Sequence, residues 1–557
     1  MNSNSLPVLN LDDITSLFTD IMAQQRTCLS DNELCRLLDT LAINTTDTGS
    51  DPACAALSLN IDHNSEFGMV MRVGLTQDAL MLANGAIDKK QVAVQMAMAL
   101  TNADSFVATV RRSYAYQALL STLDNTAAKN FDKQLHPCIT TMMELANYFS
   151  PLNEAAPCVI DAFEIGSLSL LEGRLVARQV RCHLSEKMPI PTARPIAKIK
   201  KLLHPQSIGI IGVSASKMNF GRIILKNLLA SGYPQSQLTI IRPGESEIDG
   251  VACAASLTTL PHKLDLLVIA VGASAVFTLV DELIDTNAAE SVILIPGGLG
   301  ETQASIDVTA KMDARINAAH ARPEGGPIFL GGNCLGVVSH PGNYDSWFIP
   351  GERLPKPQKK QQRNSALISQ SGAFMISRIS KNPWLDPAYM TALGNQSDIT
   401  HGDMLSYYAD HVDIDTIGLY IEGFNKLDGL HFAQAVRRAV CNGKQVIVYK
   451  AGRTAAGCGA ARGHTASITG DYELCDTLLT EAGAMLAGSL CEFDDLFYIA
   501  DQLRNKRIQG NRLAAVSGAG FETVGMADSV SPSLVMAPLS STTKGQLEKV
   551  LIAKRLD

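Results

Sequence analysis

The sequence contains few aromatic residues, which make up 5% of its 557 residues, and its 12 cysteines include no C-x-x-C pair. Closely spaced cysteine pairs are what structural zinc sites and redox motifs use, so the sequence predicts neither kind of site. Scattered cysteines in a long chain without a secretory leader pattern after Met1 are typical of reduced thiols. We therefore expect a cytoplasmic protein without disulfide bonds.

Long apolar runs are also missing. The longest runs, such as Leu266–Ala273, fall far short of the ~20 residues that a membrane-spanning helix requires. Neither charge sign dominates, because 47 Lys and Arg face 55 Asp and Glu, which gives a net charge of −8. A chain without a dominant basic patch is not expected to bind nucleic acid. The sequence thus predicts neither a membrane nor a nucleic-acid partner.

Apolar residues are abundant enough for several cores, since 46% of the residues are hydrophobic and 18% are charged. At roughly 100–200 residues per domain, the length predicts about three to five domains. Two proline-rich stretches, Lys187–Pro195 and Pro350–Arg363, are interpreted as linkers. We expect both to be extended and solvated, including the basic run Lys359–Arg363.

Short β-branched runs alternate with helical stretches between the two linkers and after the second. The predicted strands are Ser207–Val213, Leu238–Arg242, Leu266–Val271, Val292–Ile295, Ile328–Leu330, Ala366–Ser369, Thr416–Ile421 and Gln445–Tyr449. Helices are predicted at Arg222–Ala230 and Ala275–Asp285. This alternation indicates a parallel, doubly wound α/β sheet in each segment.

The two ends of the chain give weaker patterns. Near the C-terminus, strands are predicted at Leu513–Val516 and Leu534–Ala537. In the N-terminal part, a capping box at Ser30–Glu33 predicts a helix over Glu33–Leu41. Further predictions for that part are the strands Phe67–Val73 and Val159–Glu164 and the helix Gln91–Leu100.

Three glycine-rich loops follow strands of the first predicted sheet, at the edge where open α/β sheets bind ligands. They are Gly212–Gly221, Pro296–Glu301 and Gly331–Gly336. The first leads from a strand into a helix, whose free N–H groups suit a phosphate; a purely structural turn is the alternative. Cys334, in the third loop, is either a thiol near the ligand or an ordinary buried cysteine.

Two loops of the second predicted sheet contain candidate chemistry. Ser371 and Gly372 begin a predicted helix, where the hydroxyl either caps the helix or helps to bind an anion. His464 ends a run of small and basic residues that begins at Lys450, and a solvent-exposed loop histidine is the simpler interpretation. A histidine can also carry a phosphoryl group when a carboxylate orients its ring, and Glu422, at a strand end, is the candidate carboxylate.

The stretch from about His204 to Leu503 resembles the NDP-forming acyl-CoA synthetases, relatives of the succinyl-CoA synthetase alpha subunit. The matching elements, in chain order, are Gly212–Ser214 with Asn219 and Gly221, Gly332–Gly336, Ser369–Ala373, Leu393–Asn395 with Asp398 and Asp403, Tyr420–Gly423, Lys450–Arg453, and His464–Thr465 with Gly470–Asp471. Each element is common, but the ordered set is specific to this family.

This resemblance implies two functional domains. A CoA-binding Rossmann-like domain would bind CoA through the residues Gly212, Ser214, Lys217, Asn219, Asn333 and Cys334, the last near the CoA thiol. In a following flavodoxin-like domain, His464 would be phosphorylated, Glu422 would orient its ring, and the helix starting at Ser371 and Gly372 would hold the phosphate. The implied reaction joins a carboxylic acid to CoA through an acyl-phosphate, while a nucleoside triphosphate becomes a diphosphate and phosphate.

The N-terminal segment resembles only part of an ATP-grasp domain. Asn64–Gly74 is similar to its strand-and-glycine motif, and Phe163–Leu168 is similar to the strand whose Glu-x-Asn pair binds magnesium. Glu164 is retained, but Gly166 replaces the asparagine, and the stretch 44–56 is too short for the subdomain that clamps ATP. We therefore expect Glu164 to be a vestigial metal ligand, and ATP or another nucleoside triphosphate with Mg²⁺ to bind poorly to this chain alone.

The predicted fold is α/β. A reduced α+β, ATP-grasp-like domain is expected at 1–190, the CoA-binding Rossmann-like domain at 196–349, the succinyl-CoA-synthetase-like phosphohistidine domain at 364–505, and a partial third flavodoxin-like lobe at 506–557.

Three interpretations of function stay open at this point. The chain is a self-contained acyl-CoA synthetase acting on a carboxylic acid or acyl-CoA, an enzyme that receives its nucleotide site from a separate subunit, or a non-catalytic relative that binds CoA or acyl-CoA. A homo-oligomer is compatible with each. A NAD-dependent dehydrogenase is disfavoured, because Arg242–Pro243 and not an acidic residue ends the second strand.

Overall fold

The computed structural model describes residues 9–45, 56–76, 93–187, 189–190, 192–300, 303–356, 363–382, 384–464, 471–504 and 506–555. The chain divides into two compact units, Met1–Asp501 and Gln502–Asp557. Within its described residues, the first unit contains three β-sheets, which follow one another along the chain.

The first sheet is mainly antiparallel. Its strands are β1 (Asn44–Thr45), β2 (Leu57–Asn64), β3 (Gly68–Leu75), β4 (Val94–Ala97), β5 (Val159–Leu171) and β6 (Arg174–Ser185). Its helices are α1 (Leu11–Ala23), α2 (Asp31–Thr40), α3 (Ala103–Arg112), α4 (Tyr114–Ser121) and α5 (Asn125–Tyr148). The strand order is β1-β6-β5-β2-β3-β4, and its apolar face forms a core with the helices.

The capping box predicted at Ser30–Glu33 is present, and α2 begins two residues before the predicted start. The Ser30 N–H donates to the Glu33 carboxylate at 2.7 Å, as a capping box requires. The hydrogen bond from Arg26 to the same carboxylate lowers the pKa of Glu33 to about 2. This part of the fold follows from local sequence alone.

The helix predicted at Gln91–Leu100 is wrong for the residues that the structure describes, from 93 onward. Val94–Ala97 forms β4, and one 3₁₀ turn, Met98–Leu100, follows it. β4 pairs antiparallel with β3, with Val94 opposite Val73. Pairing extends the sheet and buries the end of β4, and this tertiary gain outweighs the helix propensity of Gln, Met and Ala.

The second sheet is a Rossmann-like sheet. Its strands are β7 (Ile208–Ile211), β8 (Leu238–Ile241), β9 (Glu247–Ile248), β10 (Val251–Ala254), β11 (Leu264–Ile269), β12 (Ala289–Leu294) and β13 (Ile328–Gly331). The helices are α6 (Ile199–Leu203), α7 (Phe220–Ala230), α8 (Ala273–Thr286) and α9 (Gln303–His320). The strand order is β13-β12-β11-β7-β8-β10-β9. From β7 the chain first adds strands on one side and then, from β11 onward, on the other, so a crevice opens between β7 and β11. The five strands predicted here are confirmed, within one to three residues at their ends.

The third sheet is mixed. Its strands are β14 (Val337–Ser339), β15 (Tyr344–Asp345), β16 (Ser365–Ser369), β17 (Tyr389–Ala392), β18 (Thr416–Ile421), β19 (Gln445–Lys450) and β20 (Met485–Leu486). The helices are α10 (Gly372–Lys381), α11 (His401–Ala409), α12 (Asp428–Cys441), α13 (Ala455–His464), α14 (Tyr472–Ala482) and α15 (Leu490–Leu503). The order is β15-β14-β17-β16-β18-β19-β20, and one continuous core joins this sheet to the second.

Each predicted linker contains an arginine that is bound to buried carboxylates, although both linkers are expected to be solvated. Arg194, whose side chain is 16% exposed, donates to Asp403 and Asp428 at 3.1 Å each and lies 3.5 Å from Asp398. Arg363 donates to Asp386 at 2.8 Å, while residues 357–362 lie outside the described part of the chain. The expectation of solvated linkers is therefore wrong at these two arginines, because buried carboxylates require a charge partner.

The second unit is small. It contains two parallel strands, β21 (Arg512–Leu513) and β22 (Val535–Met536), and the helices α16 (Gly520–Asp528) and α17 (Ser541–Lys554). β22 falls within its predicted range, whereas β21 begins one residue before its predicted range and overlaps it only at Leu513.

None of the helices among the described residues combines the length and apolar character that crossing a membrane requires.

Candidate active site

A pocket opens at the crevice of the second sheet, where the strand order reverses. It has a volume of ≈ 580 Å³ and is lined by Gly212, Met218, Asn219, Phe220, Ile223, Ala270, Val271 and Gly272. These residues belong to the turn between β7 and α7, to the first turn of α7 and to the segment after β11. The structure thus brings two of the residues predicted from sequence, Gly212 and Asn219, to one cavity of ligand size.

Glycine is required at two positions of this turn. Gly212 has a φ of 100°, and a Cβ atom there would lie 2.3 Å from the Ala270 carbonyl oxygen. A Cβ atom at Gly221 would lie 2.5 Å from the Gly212 carbonyl oxygen. The absence of both side chains lets the strand, the turn and the start of α7 pack closely, which leaves backbone at the pocket wall.

The side chain of Asn219 holds the turn in shape. Its amide donates to the Gly212 carbonyl oxygen at 2.7 Å, and its carbonyl oxygen accepts from the N–H groups of Ser214 and Arg222. The Ser214 hydroxyl accepts from the Lys217 N–H at 3.0 Å, and the Lys217 side chain is exposed. Asn219 therefore caps α7 and orders the loop, in which Lys217, next in the chain to the pocket-lining Met218, is exposed.

The loop Gly331–Gly336 lies at the same sheet edge. Asn333 is exposed, has a φ of 53°, and donates its N–H to the Pro296 carbonyl oxygen at 2.7 Å. Cys334 is only 3% exposed, and burial raises the pKa of its thiol to about 12. Cys334 is thus an ordinary buried cysteine by its surroundings, and it is too weakly acidic to act as a thiolate near neutral pH.

A second group of predicted residues lies at the carboxyl edge of the third sheet. Ser371 caps α10, since its hydroxyl accepts from the Phe374 N–H at 3.3 Å. A Cβ atom at Gly372 would lie 2.8 Å from the Leu335 Cβ, so the start of α10 touches the Gly331–Gly336 loop. The structure therefore brings Ser371 and Gly372 next to the loop that contains Asn333 and Cys334.

Glu422 is buried at the end of β18, directly beside the start of α10. The N–H groups of Glu422 and Gly423 donate to the Gln370 side-chain oxygen at 2.8 and 3.3 Å. Lys450, at the end of β19 and also buried, donates its ammonium to the carbonyl oxygens of Glu422 and Ala451 at 2.9 and 2.8 Å. Glutamine and lysine thus fix the backbone on either side of the Glu422 carboxylate.

A loop after β17 connects the two groups. The Asn395 N–H donates to the Gly332 carbonyl oxygen at 2.8 Å, and the Gln396 amide donates to the Gly423 carbonyl oxygen at 3.2 Å. A Cβ atom at Gly394 would lie 2.1 Å from the Gly332 carbonyl oxygen, so the backbones are in close contact. The loops of both sheets therefore form one continuous surface.

His464 is the last residue of α13, and its side chain and residues 465–470 lie outside the described part of the chain. Its predicted role as the phosphorylated residue stays a prediction. Asp471, the first described residue after this segment, lies within electrostatic range of Glu66, as does Lys450.

Glu164 lies apart from these residues, on β5 of the first sheet. It is half-buried and stands opposite Asn60 and Arg181 on the neighbouring strands. A Cβ atom at Gly166 would lie 2.8 Å from the Gln179 side-chain oxygen. Among the described residues, no group of three or more His, Cys, Asp or Glu could hold a metal ion.

Sequence reasoning missed three residues of the site. Gln370 lies inside the motif Ser369–Ala373. Its position between the end of a strand and a serine that caps a helix is the signal that could have indicated it. Lys450 ends a buried strand, and a charged residue at a buried position indicates a specific hydrogen-bond partner. Arg242, at the end of β8, donates to the Val213 carbonyl oxygen at 3.0 Å and so borders the turn that begins at Gly212.

Two known domain families match the second and third sheets of this chain. Residues 206–340 match the family described as a CoA binding domain, and residues 362–500 match the family described as a succinyl-CoA ligase like flavodoxin domain.

Two curated relatives come from Pyrococcus furiosus. The alpha subunit of its ADP-forming acetate–CoA ligase II is 28% identical over 62% of this chain and 72% of its own length. The alpha subunit of ligase I is 30% identical over 58% of this chain and 67% of its own length. Also similar is a solved structure of the dinucleotide forming acetyl-coenzyme A synthetase 1 of Ca. Korarchaeum cryptofilum in complex with phosphate and ADP. It is 25% identical, with a TM-score of 0.53, over 63% of this chain and 72% of that chain.

The order of the motifs, the two matched domains and the similarity to these alpha subunits lead to one conclusion: the chain belongs to the NDP-forming acyl-CoA synthetases, acid–thiol ligases related to succinyl-CoA synthetase.

Proposed function

We propose that this chain performs the CoA-binding and phosphoryl-carrying steps of an NDP-forming acyl-CoA synthetase. In the thioester-cleaving direction, acyl-CoA and inorganic phosphate give acyl-phosphate and CoA. The acyl-phosphate then transfers its phosphoryl group to His464 and releases the carboxylic acid. Phosphohistidine finally transfers the group to a nucleoside diphosphate, and synthesis runs the same steps in reverse. The observation that carries the proposal is the continuous surface formed by the loops of the second and third sheets.

We assign CoA to the pocket of the second sheet, with Gly212, Ser214, Lys217 and Asn219 around it. The pocket has the size of a ligand site, and its wall combines backbone with apolar surface from Met218 and Phe220, each 55% exposed. Such a wall suits an adenine ring, while exposed Lys217 suits a phosphate. The CoA thiol would then point toward Asn333 and Cys334, on the side that faces the third sheet.

We assign the phosphoryl group to the third sheet. The start of α10 offers backbone N–H groups and the positive end of the helix dipole, both of which favour a phosphate at Ser371 and Gly372. Glu422 supplies the carboxylate that orients a histidine ring and keeps one ring nitrogen nucleophilic.

We propose that the nucleotide site is completed by a separate subunit. Mg²⁺ needs several oxygen ligands, and the segment that resembles an ATP-grasp strand retains Glu164 but has glycine at 166. The relatives in Pyrococcus furiosus are named as alpha subunits, which supports the same division. No step of the reaction is assigned to Glu164.

Two labelling reactions test this function. The pure chain is incubated with acyl-CoA and labelled phosphate, and separately with labelled ATP and Mg²⁺. We expect acid-labile protein label from the first reaction, and from the second only when the nucleotide-binding partner is added. Absence of label from acyl-CoA and phosphate, with measurable CoA binding, would contradict catalysis and leave the CoA-binding interpretation.

The substitution Gly212→Ala tests the CoA assignment. A methyl group would clash with the Ala270 carbonyl oxygen at a backbone φ of 100°. We expect CoA affinity to fall about tenfold or more, because the turn must shift into the pocket, and stability to fall by about 1–3 kcal/mol. Gly232→Ala is the matched control, since Gly232 has a φ of 83° with open space around it. Calorimetric titration with CoA should show weakening for Gly212→Ala alone.

A further inference from the structure

The turn between β2 and β3 projects from the first sheet into the third. The Leu427 N–H donates to the Ser65 carbonyl oxygen at 2.8 Å, and the Leu430 N–H donates to the Glu66 carbonyl oxygen at 3.0 Å. The Phe67 ring packs edge-on against Phe424, with ring centroids 5.8 Å apart. The turn therefore contacts the loop that follows Glu422 and the start of α12.

The Glu66 side chain at the tip of this turn is almost completely buried, with 3% exposure. One carboxylate oxygen, Oε1, accepts from the Phe424 N–H at 3.4 Å. The other, Oε2, is buried and has no hydrogen-bond partner among the described residues. A buried acceptor without a partner costs about 1–3 kcal/mol, so stability alone does not account for a carboxylate here.

The charges around Glu66 belong to the candidate active site. Burial raises the pKa of Glu66, while Lys450 on β19 opposes that rise and Asp471, at the start of α14, adds to it. Cys475 on α14 also lies within electrostatic range of Glu66. Lys450 is the residue whose ammonium donates to the Glu422 carbonyl oxygen, so Glu66 and Glu422 are linked through one cation.

We propose that Glu66 is a positioning residue of the phosphoryl-transfer site, supplied by the first sheet to the third. Its carboxylate holds the Phe424 N–H and provides the negative charge that keeps Lys450 against the Glu422 backbone. Removal of that charge would let both loop and lysine shift, and the Glu422 carboxylate would lose its orientation. This role rests on the proposed function of the third sheet.

Kinetics on Glu66→Gln and Glu66→Ala test the proposal, with Glu144→Gln as the control. Glu144 is an exposed glutamate on α5 of the same sheet. We expect each Glu66 variant to slow labelling from acyl-CoA and phosphate about 10- to 100-fold, the usual effect of losing a hydrogen bond to a charged group, with unchanged CoA affinity. Wild-type labelling should slow as the pH falls, because Glu66 and the proposed carrier His464 both take up a proton. Glu66→Gln should keep only the part of this acidic limb that His464 causes. Wild-type rates and an unchanged pH profile in Glu66→Gln would overturn the proposal.

Hydrogen exchange of the Phe424 amide separates this proposal from the proposed function. We expect exchange about tenfold faster in Glu66→Ala than in wild type and Glu144→Gln. If the wild type takes up no label, the proposed function fails, while faster exchange in Glu66→Ala still supports positioning of the loop. Unchanged exchange in Glu66→Ala would overturn the positioning role in either case.

Discussion

Replacement of His464 by alanine is expected to abolish the acid-labile label from acyl-CoA and phosphate, a loss of at least about 10³-fold. Covalent catalysis by a histidine divides one difficult transfer into two easier ones, and alanine has no nucleophilic atom to carry the phosphoryl group. Phosphate release is measured after acid and base treatment, because phosphohistidine is labile in acid and phosphoserine is not.

The same variant should bind CoA as the wild type does, because the pocket at Gly212 belongs to the second sheet. His262→Ala is the control, since His262 is an exposed histidine in a loop of the second sheet. It should label at the wild-type rate. Undiminished label in His464→Ala would move the carrier to another residue and contradict the assignment of the third sheet.

The second large effect is expected from Arg194→Ala, which should reduce the free energy of unfolding by about 3–5 kcal/mol. The guanidinium nitrogens of Arg194 lie 3.1–3.5 Å from carboxylate oxygens of Asp398, Asp403 and Asp428. All three carboxylates are nearly buried, so removal of the guanidinium leaves them close together with only the histidines His320 and His431 to offset their charge. Urea unfolding followed by circular dichroism measures the loss.

The loss of unfolding free energy in Arg194→Ala should depend on pH, and the carboxylates determine whether it grows or shrinks as the pH falls. Burial already raises the pKa of Asp428 although Arg194 opposes the rise, so removal of Arg194 raises that pKa further. A carboxylate with a raised pKa destabilises the fold most when it is ionised, at high pH. The difference between variant and wild type should therefore shrink from pH 8 to pH 5. Arg174→Ala, at an exposed position of β6, is the control, and an equal difference at both pH values would contradict the ionic explanation.

Features set by local sequence could be predicted well. β7 and the start of α7 follow from a β-branched run, a glycine with positive φ and a capping asparagine, all within about a dozen residues. The Ser371 cap and the position of Glu422 at the end of β18 follow from the same kind of local pattern. In such cases the chemical reason for the residue lies next to it in the chain.

Features set by distant contacts could not be predicted. The hydrogen bond between Glu66 and Phe424 joins residues that are 358 positions apart in the sequence, and no pattern near either residue indicates the other. Proline content and charge predict Arg194 to be solvated, and nothing near it in the chain indicates its aspartate partners, which lie more than 200 positions away. Residues 94–97 form β4 because they pair with the edge of β3, and the composition of residues 91–100 does not indicate this pairing.

The path of the chain between the second and third sheets has a practical consequence. β14 and β15 precede the second linker, yet they pair within the third sheet, β14 directly with β17. A protease that cuts between Lys356 and Arg363 would therefore produce two fragments that stay bound and elute together under native conditions. An engineered fragment that starts after this linker would instead expose the bare edge of β17, and it would be prone to aggregation.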